Sequence, residues 1–222
     1  CISRRQENGC VSLESGEVTK MYGKLSSPLS LSGSFDEQIT AAYDYFAEHI
    51  YKKENRPSLF GKSIFVEARE KIDERPQGFW HMVSLKDRHH FNKVLPCIND
   101  AAIDDCGQNC NTGVHPISIN YNTDDRNLCL YRASRIPWII DIIKLANAKD
   151  PDVCVWLKPG NSNMSNKLYL RYNHEGADYV VIFSAEKRYY RIISAFPVFY
   201  LSEKADFDND YAQFKWEYNP EG

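Results

Sequence analysis

Four apolar, strand-like runs separated by short polar connectors occupy the last third of the chain, and they restrict its folding more than any other feature. The runs cover 153–158, 167–172, 179–184 and 189–196. Gly160-Asn161-Ser162-Asn163, His174-Glu175-Gly176 and Ala185-Glu186-Lys187 separate them. A parallel crossover needs a dozen residues or more, so connectors this short require antiparallel neighbours and a meander. Helical patterns come earlier in the chain, and helices first with sheet last predicts an α+β fold.

The first of those helices has a clear start. Ser34 and Glu37 fit a capping box, and Phe35, Ile39, Ala42, Tyr43, Phe46 and Ile50 recur at helical spacing. A second helix is predicted from Pro137, which suits a first-turn position, to about residue 146. Its Trp138, Ile139, Ile140, Ile142 and Ile143 leave little polar face. Residues 63–67 fit either a strand or the start of a helix. Residues 79–85 and 128–131 read as strands. The expected organisation is a polar N-terminal arm over 1–33, a helical N-terminal part over 34–76 and an α+β domain over 77–222.

A chain of 222 residues with 43% hydrophobic and 26% charged residues is long enough to bury a large core. Its formal net charge of -3 excludes a globally basic nucleic-acid binder and leaves room for a local basic face. No apolar run approaches the ~20 residues of a membrane helix, so no membrane partner is expected. The first residue is Cys1 and not Met, which leads to the expectation of a processed or trimmed N-terminus and a cytoplasmic, delivered or secreted protein. Cys129 and Cys154 sit in apolar runs and read as small buried side chains. Cys97, Cys106 and Cys110, with His115 following, leave zinc, a local disulfide and free thiols all open as readings. No cofactor is expected, because no Gly-rich phosphate loop precedes a helix.

The residues that draw attention are few. His81 lies in the aromatic run Gly78-Phe79-Trp80-His81-Met82-Val83. The competing reading is a core histidine bonded to a backbone carbonyl. Arg132 and Arg135 flank the start of the second helix, where guanidinium and helix N-terminus together make a phosphate seat. They also fit ordinary arginines bonded to carboxylates such as Asp141. Arg171 and Arg191 fall mid-strand. Alternation puts Tyr189, Arg191 and Ile193 on one face of the final strand, and Tyr190, Ile192 and Ser194 on the other. Ser194 sits near the strand's end, at a sheet rim. His89-His90, beside Lys86 and Arg88, reads as a solvated face. An imidazole, guanidinium groups and a hydroxyl are the ingredients of metal-independent phosphodiester cleavage, and His works as acid or base near neutral pH.

The ordered set of Phe79-Trp80-His81, residues 132–138, Val153-Cys154-Val155-Trp156, Asp178-Tyr179-Val180-Val181-Ile182 and Tyr190-Arg191-Ile192-Ile193-Ser194-Ala195-Phe196-Pro197 resembles a known group. These are the phage- and mobile-element-encoded nucleases of the barnase, EndoU, colicin and RelE-like superfamily. The resemblance covers about residues 78–197 and leaves the N-terminal helical extension outside. It implies helices packed on a curved antiparallel sheet, metal-independent endoribonuclease activity of the toxin kind on an RNA substrate, and an immunity or antitoxin partner. By motif position it implies His81, Arg135 and Ser194 as catalytic residues and Arg132, Arg171, Tyr190 and Arg191 as substrate-binding residues. Two rival functions stand beside it: a non-catalytic module binding nucleic acid or protein through Tyr189, Arg191 and Arg171, and a nucleotide-dependent transferase.

Overall fold

Ser34 opens the first helix, α1 (Phe35–Phe46), with the expected capping box. The Ser34 backbone N–H donates to Glu37 Oε2 at 2.7 Å while the Ser34 hydroxyl accepts from the Glu37 N–H. One π-helical turn, Ala47–Tyr51, continues it and buries Ile50. The computed structural model describes residues 22–86, 118–121, 124–162, 164–198 and 201–218.

After α1 come β1 (Ser58–Leu59), β2 (Lys62–Val66), β3 (Lys71–Ile72), β4 (Arg75–Pro76), α2 (Gln77–Val83) and β5 (Ser84–Lys86). Further on lie β6 (Ser118–Tyr121), β7 (Asp124–Leu128), α3 (Leu130–Ser134) and α4 (Ile136–Asn147). The meander follows as β8 (Val153–Lys158), β9 (Asn166–His174), β10 (Ala177–Ala185) and β11 (Tyr189–Pro197), and α5 (Leu201–Phe214) comes last.

The fold is α+β. Its main sheet has six strands in the order β1-β2-β11-β10-β9-β8, antiparallel throughout except where β2 runs parallel to β11. The four runs of the last third are the strands β8–β11. Glu175 and Gly176 join β9 to β10 with φ of 47° and 79°, the left-handed pair that matches a two-residue hairpin to strand twist.

Two apolar layers flank the sheet. On one face Ile64, Val66, Leu170, Phe183, Tyr190 and Ile192 pack against Ile39, Phe46, Phe79, Trp138 and Ile142 from the helices α1, α2 and α4. On the other, Trp156, Tyr169 and Val180 meet Phe207 of α5, with the Trp156 and Tyr169 rings stacked at 4.8 Å. Among the described residues no helix is long and apolar enough to cross a membrane.

Several expectations are corrected. Residues 79–83 are helical, because Phe79, Trp80, Met82 and Val83 are all buried and a short run enclosed on most sides carries no readable period. The same holds for 130–134, a helix in which every residue is buried. Residues 34–76 contain four strands besides their helix, and β2 pairs with β11 across the expected boundary at 76. Part of the polar arm is docked firmly. Tyr22, Leu25 and Leu31 are buried, Leu29 N–H donates to Ser134 O at 2.7 Å, and Trp138 Nε1 donates to Ser26 O at 2.8 Å.

Candidate active site

β2 and β11 run parallel, with Val66 at the end of β2 paired to Ile192 in the middle of β11, and α2 packs against β11. The α2 N-terminus is held by Gln77 N–H donating to Glu70 O at 2.9 Å and Gly78 N–H to Glu67 O at 3.2 Å. Gly78 makes this approach easy, since a Cβ there would sit tightly, 3.0 Å from Glu67 O and 3.1 Å from Val66 Cγ1. One turn further, half-buried His81 reaches the same junction.

A cleft of about 380 Å³ opens at that place. His81 and Gly78 line it from α2, Glu67 and Arg69 from the segment after β2, and Arg191 and Ile193 from β11. The Glu67 carboxylate holds both guanidinium groups, with Arg69 Nε at 3.3 Å from Oε1 and Arg191 Nη1 at 3.7 Å from Oε2. An imidazole, two cations and two carboxylates, Glu67 and Glu70, therefore share one open pocket. Glu67 and Arg69 escaped the sequence reading because 63–67 was ambiguous between strand and helix. The signal lay in Glu67-Ala68-Arg69-Glu70, a charged run between a strand and the aromatic run that carries His81.

Arg132 is close to His81 in a different sense. Its buried guanidinium donates to Met82 O at 2.9 Å, to His81 O at 2.9 Å, to Ala195 O at 3.0 Å and to Ser84 O. It clamps the end of α2 onto β11, so it positions the backbone that carries the imidazole and does not face the cleft. Arg135, expected as the phosphate anchor, is 0% exposed. It donates to the Ser134 hydroxyl at 2.6 Å and to Tyr22 Oη at 3.1 Å, and its Cζ lies 3.5 Å from the Tyr131 ring centroid. Both guanidiniums are buried and bonded to protein groups, and neither lines the His81 cleft. Asp141 accepts instead from Ser26 N–H at 2.8 Å.

Arg171 is likewise structural. It pairs with both oxygens of Asp178 at 2.8 Å and with Asp208 of α5 at 2.7 Å. Tyr190 is buried between Phe60 and Phe183, so its neighbour Tyr189 is the exposed ring. Ser194 departs from simple alternation. A bulge between Ile182 and Phe183 in the pairing leaves Ile193 as the extra residue, and Ser194 pairs with Ile182. The hydroxyl is therefore carried on the same face as Tyr189 and Arg191, although it does not line the cleft. Cys97, Cys106, Cys110, His115, His89 and His90 lie outside the described residues.

No protein-family model, curated protein or solved structure matches this chain.

Proposed function

We propose that this chain is a metal-independent endoribonuclease acting in the His81 cleft. The observation that carries the reading is the joint lining of one open pocket by His81, Glu67, Arg69 and Arg191. Such a set provides two groups able to carry a proton and two cations for a phosphate, which is what transesterification by a ribose 2′-hydroxyl requires.

In that reaction a base takes the 2′-hydroxyl proton, the 2′ oxygen forms a bond to phosphorus, and the bond from phosphorus to the 5′ oxygen breaks. An acid delivers a proton to the departing 5′ oxygen, leaving a 2′,3′-cyclic phosphate and a 5′-hydroxyl. His81 and Glu67 divide the acid and base roles. Arg191 and Arg69 take the charge that develops on the phosphorane oxygens, and Arg132 holds the His81 backbone in place. The phosphate anchor moves from Arg135, where the sequence put it, to Arg191.

The test is incubation of purified protein with single-stranded RNA in EDTA, with analysis of the new ends. Fragments ending in 2′,3′-cyclic phosphate are the expected result. The pairing of both guanidiniums with Glu67 favours a second reading, a non-catalytic module that binds RNA with the same cations. Binding without any cleavage would select it.

A further inference from the structure

The two faces of the main sheet are covered unequally. α5 lies over β8, β9 and β10, where Phe207 meets Trp156 and Tyr169. Near the end of β11, Phe196 packs against the cluster that holds Phe207, whereas at the start of β11 and on β2 the same face carries exposed rings. Phe65 is 41% exposed and Tyr189 38% exposed, and their rings lie 5.8 Å apart at 56°. Burying aromatic rings is favourable, so two large rings left side by side in water mark a surface with an occupant.

Register defines what surrounds them. Phe65 pairs with Arg191, Arg191 with Ser184, and Ser184 with Lys167, so a single row across the sheet carries a ring, a guanidinium, a hydroxyl and an ammonium. At the sheet edge a groove of about 470 Å³ is lined by both rings together with Lys53, Arg56 and Ser63. Arg56 is occupied by the carbonyls of Ile50 and Ile64, whereas Lys53 and Lys167 are exposed. Lys187 and Arg188, also exposed, lead into Tyr189. Nearby carboxylates include Glu67, which pairs with Arg191, Glu70, which lines the adjoining cleft, and Glu186, which accepts from the Ser184 hydroxyl at 2.7 Å and the Ser165 hydroxyl at 3.0 Å. Lys53, Lys167, Lys187 and Arg188 thus put four exposed cations around this surface in a chain whose net charge is -3.

The groove and the His81 cleft are consecutive along the same two strands. On β2 the groove takes Phe65, and the cleft takes Glu67 two residues on, just past the end of the strand. On β11 the groove takes Tyr189 and the cleft Arg191. Two residues of strand span ~7 Å, the scale of one nucleotide.

We propose that Phe65 and Tyr189 form a base-stacking subsite for a nucleotide flanking the scissile phosphate of single-stranded RNA, with Arg191 on the intervening phosphate and Lys53 and Lys167 following the backbone. Exposed rings on a sheet beside cations suit unpaired bases, whose faces are free; in a duplex those faces are stacked on one another. The proposal rests on the ribonuclease reading for the position of the scissile bond and on its own observations for the stacking. It names unpaired RNA as the ligand.

The experiment measures anisotropy of a labelled single-stranded RNA with His81→Ala protein, which keeps the surface and removes turnover. The same oligonucleotide annealed to its complement serves as a second arm. Phe65→Ala and Tyr189→Ala are each expected to weaken single-strand binding ~5- to 150-fold, the range for one lost base stack. Phe65→Tyr and Tyr189→Phe are expected to stay within about twofold of the parent. Duplex binding is expected to be weak and insensitive to both alanine changes. Unchanged single-strand binding by the alanine variants overturns the stacking subsite while leaving any His81-dependent cleavage intact. Loss of binding on these substitutions in a protein that never cleaves RNA supports the subsite and removes the nuclease. No binding to single-stranded RNA at all overturns the subsite and turns the surface over to a protein partner.

Discussion

Arg132 Nη2 donates to the carbonyl oxygen of His81 at 2.9 Å across 51 residues of sequence. The same guanidinium serves Met82, Ser84 and Ala195, so one buried side chain joins the end of α2, the start of β5 and the body of β11. Helix ends leave carbonyls without intrahelical partners, and here a charged donor satisfies them in a region closed to water.

Replacing Arg132 with Ala leaves four backbone carbonyls to find new partners. A loss of about 3 kcal/mol or more in unfolding free energy is expected, read from the urea midpoint. Arg132→Lys keeps the charge but lacks the planar fork, so it should fall between the two. A midpoint unmoved by Arg132→Ala would show that the clamp is incidental.

Asp178 and Asp208 both pair with Arg171 but differ in exposure, at 10% and 68%. Breaking the buried pair with Asp178→Ala should cost about 3 kcal/mol, since it removes two charge-assisted hydrogen bonds from a buried guanidinium and leaves it the solvent-exposed Asp208. Asp208→Ala removes a solvent-screened contact and should cost less than about 1 kcal/mol. Equal costs in chemical denaturation would contradict this ranking. Lys204 Nζ also lies 3.2 Å from Asp178, so the same carboxylate fastens α5 at a second point.

Acid should loosen the docked N-terminal segment. Lys24 binds Asp150 and Asp152 at 2.7 Å, and its hydrogen bond, with that from the Asp152 N–H, holds the Asp150 carboxyl below the usual aspartate range. A depressed carboxyl contributes stability that is present above its unfolded pKa and is lost as pH falls through the folded one. Lys24 is raised by the same partners, so its contribution persists below the ordinary lysine value and is lost only as pH rises through the raised one. Amide exchange at Tyr22 and Leu25 should therefore speed up below the aspartate range in the native chain. With Lys24→Met that acid dependence should shrink; an unchanged acid limb would exclude the tether.

A Cβ at Gly78 would sit tightly against Glu67 O and Val66 Cγ1, at 3.0 and 3.1 Å. Gly78→Val should cost ~1–3 kcal/mol by overpacking and should displace α2 from the end of β2. A thermal melt matching that of the native chain would place the close contact elsewhere.

Reading the chain alone reached some levels of this structure and missed others. Ser34 with Glu37 and the stripe through Ile39, Ala42 and Phe46 were visible because α1 faces one core and keeps its period. The runs that became β8–β11 were visible as apolar stretches set apart by short polar connectors, although β9 and β10 are buried on both faces. His81 was noticed for its aromatic company but assigned to a strand, since nearly every neighbour is buried and burial on all sides erases period. Arg132, Arg135 and Arg171 looked like ligand anchors because a guanidinium among apolar residues looks the same whether it meets a substrate or a backbone carbonyl. Only tertiary contacts separate those cases. Arg191 stayed on the open face, and the bulge at Ile193, invisible in sequence, moved Ser194 to that face as well. Glu67 and Arg69 enter the cleft through the parallel pairing of β2 with β11, a contact between segments about 125 residues apart that no local pattern encodes.

The most direct test compares cleavage of one single-stranded RNA by the native chain and by His81→Ala, in EDTA, with binding of the same RNA measured alongside. The expected result is a fall in cleavage of ~10²-fold or more, the usual weight of a general acid or base, with affinity preserved within a few-fold. Equal cleavage by the two proteins, or none by either, would contradict catalysis in this cleft.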